Sequence, residues 1–236
     1  MRRKKIVFLT GAGISVDSGL KAFRDKDGLW RDKDLMYLAS KEALDNDLPR
    51  FLEFYNARRQ QLANVEPNEA HRMIADLEKY FDVTVITQNV DNLHERAGSS
   101  HVIHLHGELA KVCSSNNRLT CIQEYPLTIP INVGDKAEDG SQLRPYVVLF
   151  GEYVPDMEIA EINVEFADIF VVIGTSLVVY PAAGLIGFAR KDIPKFIIDP
   201  NDIESDKAGE YYHIKQTATD GLRMLLKSIA KFHRRF

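Results

Sequence analysis

Cysteine is scarce in this chain of 236 residues: there are two, Cys113 and Cys121. Two thiols cannot build the framework of a small disulfide-stapled fold, and a reducing setting is the simpler reading. Tryptophan occurs once, as Trp30, and no apolar run approaches the length needed to span a bilayer. Charge of one sign is not in excess either. Lys and Arg number 30 against 34 Asp and Glu, so the formal net charge is −4, which gives no reason to expect nucleic acid or a membrane as partner. The opening Met1-Arg2-Arg3-Lys4-Lys5 is basic like the start of an export signal, but the apolar run behind it, Ile6 to Leu9, is too short for a signal core. A cytoplasmic protein is expected.

What is present fits a globular chain: 45% hydrophobic and 27% charged residues, with length for one core plus a small satellite. Ile6-Val7-Phe8-Leu9 ends at Thr10-Gly11-Ala12-Gly13 and reads as a buried parallel strand entering a tight turn. Similar runs lie at Val83–Ile86, Val147–Phe150, Ile169–Ile173 and Lys195–Ile198, with helical patterns between several of them. That alternation predicts an α/β fold, a parallel sheet covered on both faces. Two stretches break the rhythm, one helical from about Asp25 to Pro67, the other polar and irregular from about Cys113 to Arg144. Both are expected to leave the sheet and form a second, smaller domain.

Four segments at strand ends carry candidate chemistry. Gly11-Ala12-Gly13-Ile14-Ser15 follows the first strand, where glycines admit a pyrophosphate to the backbone and a helix N-terminus can face it. The third glycine of the dinucleotide fingerprint is replaced by Val16, and a plain strand-to-helix turn fits the same residues. Thr87-Gln88-Asn89-Val90-Asp91-Asn92 crowds polar groups at a carboxyl strand end, where open α/β sheets bind ligands; helix capping by Asn89 or Asp91 is the plainer alternative. His104-Leu105-His106-Gly107 puts two imidazoles on one side of an extended run, with His106 suited to general-base work near neutral pH or simply a satisfied polar side chain. Gly174-Thr175-Ser176 offers small hydroxyls to a phosphate or ribose, or an ordinary turn.

Taken together and in order, Gly11-Ala12-Gly13-Ile14-Ser15 with Ser18-Gly19, Phe23-Arg24, Gly28-Leu29-Trp30, Thr87-Gln88-Asn89-Val90-Asp91, His106-Gly107, Phe150-Gly151-Glu152 and Gly174-Thr175-Ser176 resemble the signature of the sirtuin family of NAD-dependent protein deacylases. The resemblance runs to about Pro181. It implies a Rossmann-like domain formed by residues 1–24, 68–112 and 145–236, and a small domain formed by 25–67 and 113–144, with NAD and an acylated lysine of a protein substrate meeting between them. By the same resemblance, Gly11, Ala12, Gly13, Ile14, Ser15, Phe23, Arg24 and Trp30 surround the cofactor phosphates and the loop over them. Gln88, Asn89, Val90 and Asp91 line the nicotinamide-ribose region. Gly174, Thr175 and Ser176 approach the adenine half, with Asp199 at a ribose position and Lys215 as the last contact. His106 and Asn89 are the implied catalytic residues. The acyl oxygen attacks the nicotinamide-ribose carbon as nicotinamide leaves, His106 takes a proton from a ribose hydroxyl, that hydroxyl attacks the imidate, and water completes release of deacylated lysine and O-acyl-ADP-ribose. The peptide would lie extended between Phe150-Gly151-Glu152 and Val178, adding a strand.

The acyl group has its own clue. On a helix over Pro49–Ala63, Phe51, Phe54, Tyr55, Arg58 and Leu62 share one face, so a permanent cation sits in an apolar stripe. Arg58 either reaches solvent or an internal carboxylate, or it meets an anion brought by a ligand. Tyr55-x-x-Arg58 with Ala39 resembles the acidic-acyl pocket of the bacterial desuccinylase/deacetylase branch, which implies succinyl and malonyl substrates alongside acetyl. The family's zinc module uses two Cys-x-x-Cys pairs. Here Cys113 matches a first ligand, Asn116 stands where its partner would be, and Cys121 is alone, so zinc is expected to be absent. Two other readings use the same residues: a catalytically idle NAD or ADP-ribose binding module, and a protein ADP-ribosyltransferase.

Overall fold

Parallel strands built of alternating large apolar residues need cover on both faces, and the sheet has it. The computed structural model describes residues 2–21, 33–203 and 211–233. β1 (Lys5–Thr10) is central, paired in parallel with β2 (Asp82–Thr87) on one side and β7 (Ile169–Ile173) on the other. β3 (Val102–His104) extends the first side; β8 (Lys195–Ile198) and β9 (Tyr212–Ile214) extend the second. The order β3-β2-β1-β7-β8-β9 reverses between β1 and β7, and at such a reversal the carboxyl ends of the strands leave a crevice. Ile6, Phe8, Val83 and Val171 pack on one face with α4 (Glu69–Asp76) and α7 (Ala218–His233). Val7, Leu9, Phe170 and Val172 pack on the other with α6 (Met157–Glu165) and the short turn of helix at Ala182–Gly187.

A third core belongs to the two excursions. α1 (Lys33–Leu38), α2 (Lys41–Asn46) and α3 (Leu48–Ala63) come from the first; the second forms a small antiparallel sheet, β5-β4-β6, from β4 (Gly107–Ser114), β5 (Gln123–Glu124) and β6 (Leu143–Val147). That sheet spans 107–147, taking in residues on both sides of 113–144. Asn56 on α3 stitches the excursions together: its amide donates to the Ile131 carbonyl at 2.9 Å and accepts from the Ile131 N–H at 2.9 Å. The fold is the expected α/β class, a Rossmann-like sheet with a small second domain.

Two expectations are corrected. Val147–Phe150 is not a strand of the parallel sheet. Leu143–Val147 pairs antiparallel with β4, and the chain then runs past both cores: Val147 and Leu149 are buried in the small-domain cluster, Val148 packs on the main one, and Phe150 is exposed. Contact with two cores makes this run as apolar as a buried strand. The extended run through His104 and His106 also breaks, because β3 ends at His104 and residues 105–106 form a turn. α3 also carries a fully buried arginine that the apolar stripe did not single out: the Arg59 guanidinium donates to the carbonyls of Leu109 and of Pro126 (2.7 Å), while Arg58, in the stripe, is half-buried. β3 and β9, three residues each, were missed because such short runs carry little periodicity.

Candidate active site

The crevice closes on two loops in backbone contact. After β1 the Gly11 N–H donates to the Ile173 carbonyl at 3.0 Å, and the Gly13 N–H donates to the Gly174 carbonyl at 2.9 Å. A Cβ on Gly13 would fall 2.6 Å from Gly174 Cα, and Gly174 itself has φ +61°. These glycines therefore serve first to let the β1 and β7 loops touch, a requirement the sequence pattern did not reveal. Gly13→Ala should force the loops apart, costing about 1–3 kcal/mol. Thermal unfolding reads this directly, and a melting temperature equal to wild type would refute the close-contact account.

Loop 88–92, between β2 and α5 (Leu93–Ala97), is tied to the first loop by side chains. The Asn89 amide donates to the Gly11 carbonyl and to Ser15 Oγ, both at 3.2 Å; Ser15 Oγ donates to Asp91 Oδ2 at 3.0 Å. Asp91 Oδ1 accepts from the Leu93 N–H at 3.2 Å. Burial pushes the Asp91 pKa up, against the Leu93 and Ser15 hydrogen bonds that pull it down. Gln88 reaches across to Thr175, donating from Nε2 to Oγ1 at 3.1 Å, and the same oxygen accepts from the Leu177 N–H at 3.3 Å. From below, Asn68, the N-cap of α4, donates to the Ile14 carbonyl at 2.7 Å. Gly11–Ser15, Gln88–Asp91 and Gly174–Thr175 are thus one connected set.

His106 joins that set through its ring. Nδ1 lies 2.8 Å from the Gln88 carbonyl oxygen, which can only accept, so Nδ1 carries the hydrogen and Nε2 the lone pair. Burial lowers the pKa, outweighing the Gln88 carbonyl that raises it. The ring is therefore neutral at pH 7, the form a general base requires. Gly107 behind it has φ +78°, and a Cβ there would fall 2.2 Å from the Tyr146 carbonyl oxygen.

Beside these loops lies a cavity of about 280 Å³ whose walls include Ala12, Ser15, Asn89, Asp91, Phe54 and Arg58. A larger hollow of about 540 Å³ sits at the opposite, amino end of the strands, lined by Arg2, Lys5, Asp82 and Phe166, and it gathers none of the candidate groups. The smaller cavity combines hydroxyl, amide and carboxylate groups with apolar walls and open backbone, the donor set that a sugar-phosphate ligand such as NAD requires. Arg58 stacks on Phe54, its guanidinium carbon 4.5 Å from the ring centroid, and burial lowers its pKa against the opposing influence of Tyr55. Tyr55 is buried between Phe51 and Phe54 and, held protonated by that burial, remains a donor.

Ala39, Phe150 and Gly151 meet at the edge of the small domain. The Phe150 N–H donates to the Ala39 carbonyl at 3.0 Å, and the Lys41 N–H to the Phe150 carbonyl at 3.1 Å. Phe150 and Val178 are exposed. Glu152 points inward instead: Oε1 accepts from Arg144 at 2.6 Å, while Oε2 accepts from the Leu149 N–H at 2.9 Å and lies 3.3 Å from Arg118 Nε. This ion cluster ties β6 to the 149–152 turn, so the Glu152 carboxylate is engaged within the protein. Arg144 is 1% exposed, and removing its partner strands a buried charge. Glu152→Gln is expected to cost about 3 kcal/mol, lowering the melting temperature by about 6–12 °C; an unchanged melting curve would contradict the clasp.

Other expected residues lie outside the connected set. Asp199, at the end of β8, accepts from the Asn201 N–H at 2.9 Å, and Lys215, beyond β9, pairs with Asp202 at 2.5 Å. Phe23, Arg24 and Trp30 fall outside the described residues. Cys113 is buried and donates weakly to the Pro145 carbonyl at 3.7 Å, with burial pushing its pKa up to about 11; Cys121 is half-buried. Sequence reasoning missed Arg118, Arg144 and Glu95, all of them charged partners recruited from distant segments. Thr87, whose hydroxyl accepts from the Asn89 N–H at 3.0 Å, was legible as a small hydroxyl residue ending a strand.

A doubly wound sheet with polar loops converging on its switch point, and a histidine hydrogen-bonded beside them, is the architecture of a Rossmann-like α/β protein. The Sir2 family profile matches residues 11–181. The chain is 50% identical over 225 residues to the NAD-dependent protein deacylase of Bacteroides thetaiotaomicron, covering 94% of this chain and 96% of the relative. It superposes on the crystal structure of a Sir2 homolog–NAD complex with TM-score 0.86 and 37% identity, covering 97% of this chain and 90% of that one. A Sir2 structure with deacetylated p53 peptide and 3′-O-acetyl ADP ribose gives TM-score 0.80 at 27% identity, over 96% and 94% of the two chains. This protein belongs to the Sir2 family.

Proposed function

We propose that this chain is an NAD-dependent protein-lysine deacylase that removes succinyl and malonyl groups as well as acetyl. The observation that carries the reading is the His106 ring, its Nδ1–H held on the Gln88 carbonyl, its pKa lowered by burial and its Nε2 left to accept a proton. NAD supplies a ribose carbon that takes up the acyl oxygen as nicotinamide leaves. Ala12, Ser15, Asn89 and Asp91 hold the cofactor beside the apolar wall of the cavity, while Gly11, Gly13 and Gly174 keep the strand-end loops together. Asp91 accepts from a carboxamide N–H, and Thr175 with Ser176 approaches the adenine half. His106 Nε2 takes the proton of a ribose hydroxyl, and burial of the site limits competition from water. The acylated lysine enters past Phe150 and Val178 with its peptide in extended form.

Arg58 and Tyr55 supply the acyl preference. A guanidinium on the cavity wall and a protonated phenol on the same helix suit the distal carboxylate of a succinyl or malonyl chain. We further infer that the small domain does without structural zinc, since two cysteines fall short of a tetrahedral set and Cys113 is held as a thiol. A mass-spectrometric assay with succinyl-, malonyl-, acetyl- and unmodified peptides plus NAD tests the reading. Each acyl mass should be lost only with NAD. Transfer of ADP-ribose to peptide, or cofactor binding with no mass change, would replace this function with another.

A further inference from the structure

His104 is the second imidazole of its segment, and its ring meets two acceptors. Nδ1 lies 3.3 Å from the main-chain oxygen of Asn89, and Nε2 lies 2.7 Å from Glu95 Oε1 on α5. The side chain is 8% exposed. A carbonyl and a carboxylate offer only lone pairs, so a neutral ring with one N–H would satisfy one and set its own lone pair against the other. The ring protonated at both nitrogens satisfies both.

We propose that His104, protonated and paired with Glu95, is a positioning residue that clamps the main chain at Asn89 and sets the alkaline limit of turnover. The clamp stands on the geometry of the ring; its effect on turnover rests on the deacylase reading above. The Asn89 carbonyl held by His104 adjoins the Gln88 carbonyl held by His106. Releasing one would loosen the seat of the other, together with the Asn89 amide that bridges to Gly11 and Ser15.

Charged and titratable groups surround the ring from three sides. Glu95 and His94 come from α5, Asp91 from the 88–92 loop, and Glu108 and Lys111 from β4. Glu108 Oε2 stands 4.0 Å from Nε2, and its other oxygen accepts from Lys111 at 2.6 Å. Burial opposes the His104 charge, but the Glu95 hydrogen bond and the Glu95 and Glu108 charges outweigh it, so the pKa is raised above 6.5. His106, two residues on, moves the other way. Turnover needs His106 bare and His104 charged, which confines it to the interval between the two pKa values. The signs agree with this: a raised pKa gives a contribution complete below the unfolded value and lost as pH climbs through the folded one.

The test is a histidine-labelled NMR titration of the full chain, combined with kcat/KM against pH for wild type and Glu95→Gln. In wild type His104 should titrate above 6.5 and His106 below it, with kcat/KM falling about tenfold one unit above the His104 value. In Glu95→Gln the new amide can donate to Nε2 while Nδ1–H stays on Asn89, so charge is no longer required. There the alkaline fall should shrink to less than about twofold over the same interval while the acid limb stays in place. A His104 pKa at or below 6.5 in wild type, or a variant with the wild-type alkaline limb, overturns the proposal. The NMR titration needs no turnover, so a protein that deacylates nothing would refute the functional reading while the ring's protonation still decides the clamp.

Discussion

His106→Ala should lose deacylation by about 10²–10⁴-fold, the range of one positioned general base, while keeping its fold and its affinity for NAD. Among the described residues the ring makes one hydrogen bond, through Nδ1 to Gln88, so its removal should scarcely change thermal stability. Wild-type activity should fall on the acid side as His106 binds a proton. Because burial lowers its pKa, that limb belongs below 6.5, the ordinary histidine value. Calorimetric NAD binding beside single-turnover peptide assays separates the step from the fold. Wild-type turnover in the variant would remove His106 from the mechanism and, with it, the proposed reaction.

Arg58→Met should cut desuccinylation by about 10²-fold, corresponding to about 2–4 kcal/mol for truncating one side of a desolvated charge pair. Deacetylation should change by less than about threefold, since an acetyl group brings no carboxylate to the guanidinium. Methionine keeps the apolar stem and the contact with Phe54, which guards against mere collapse of the cavity wall. Steady-state kinetics on matched succinyl and acetyl peptides give the ratio. Equal losses on both would assign Arg58 to packing. Its neighbour offers the contrast: Arg59 binds the Leu109 and Pro126 carbonyls and holds α3 to the small sheet, so its loss should impair folding.

The two arginines mark where local pattern stopped being informative. Helical spacing placed Arg58 in the apolar stripe of α3, yet the depth of each arginine depended on which carbonyls lay above the helix, and these come from residues 109 to 129. Glu152 was legible as part of the motif Phe150-Gly151-Glu152, but its inward turn followed from Arg144 and Arg118, which no local pattern connects to it. Val147–Phe150 read as a sheet strand because apolar content records burial and not the identity of the partner. By contrast, the strand ends at Gly11, Gln88 and Gly174 were legible because a turn after a buried parallel strand has a short-range signature.

The sequence alone determined the alternation of apolar runs and glycine turns, the central strands β1, β2, β7 and β8, and the grouping of polar residues at their carboxyl ends. Those properties follow from period, turn chemistry and side-chain type, all local. The tertiary structure alone decided that Gly13 and Gly174 must touch, that His106 carries its hydrogen on Nδ1, that His104 faces two acceptors, and which charges are internally paired. Each of these depends on an atom brought from a distant part of the chain, and a lone pair or a backbone clash has no counterpart in sequence spacing.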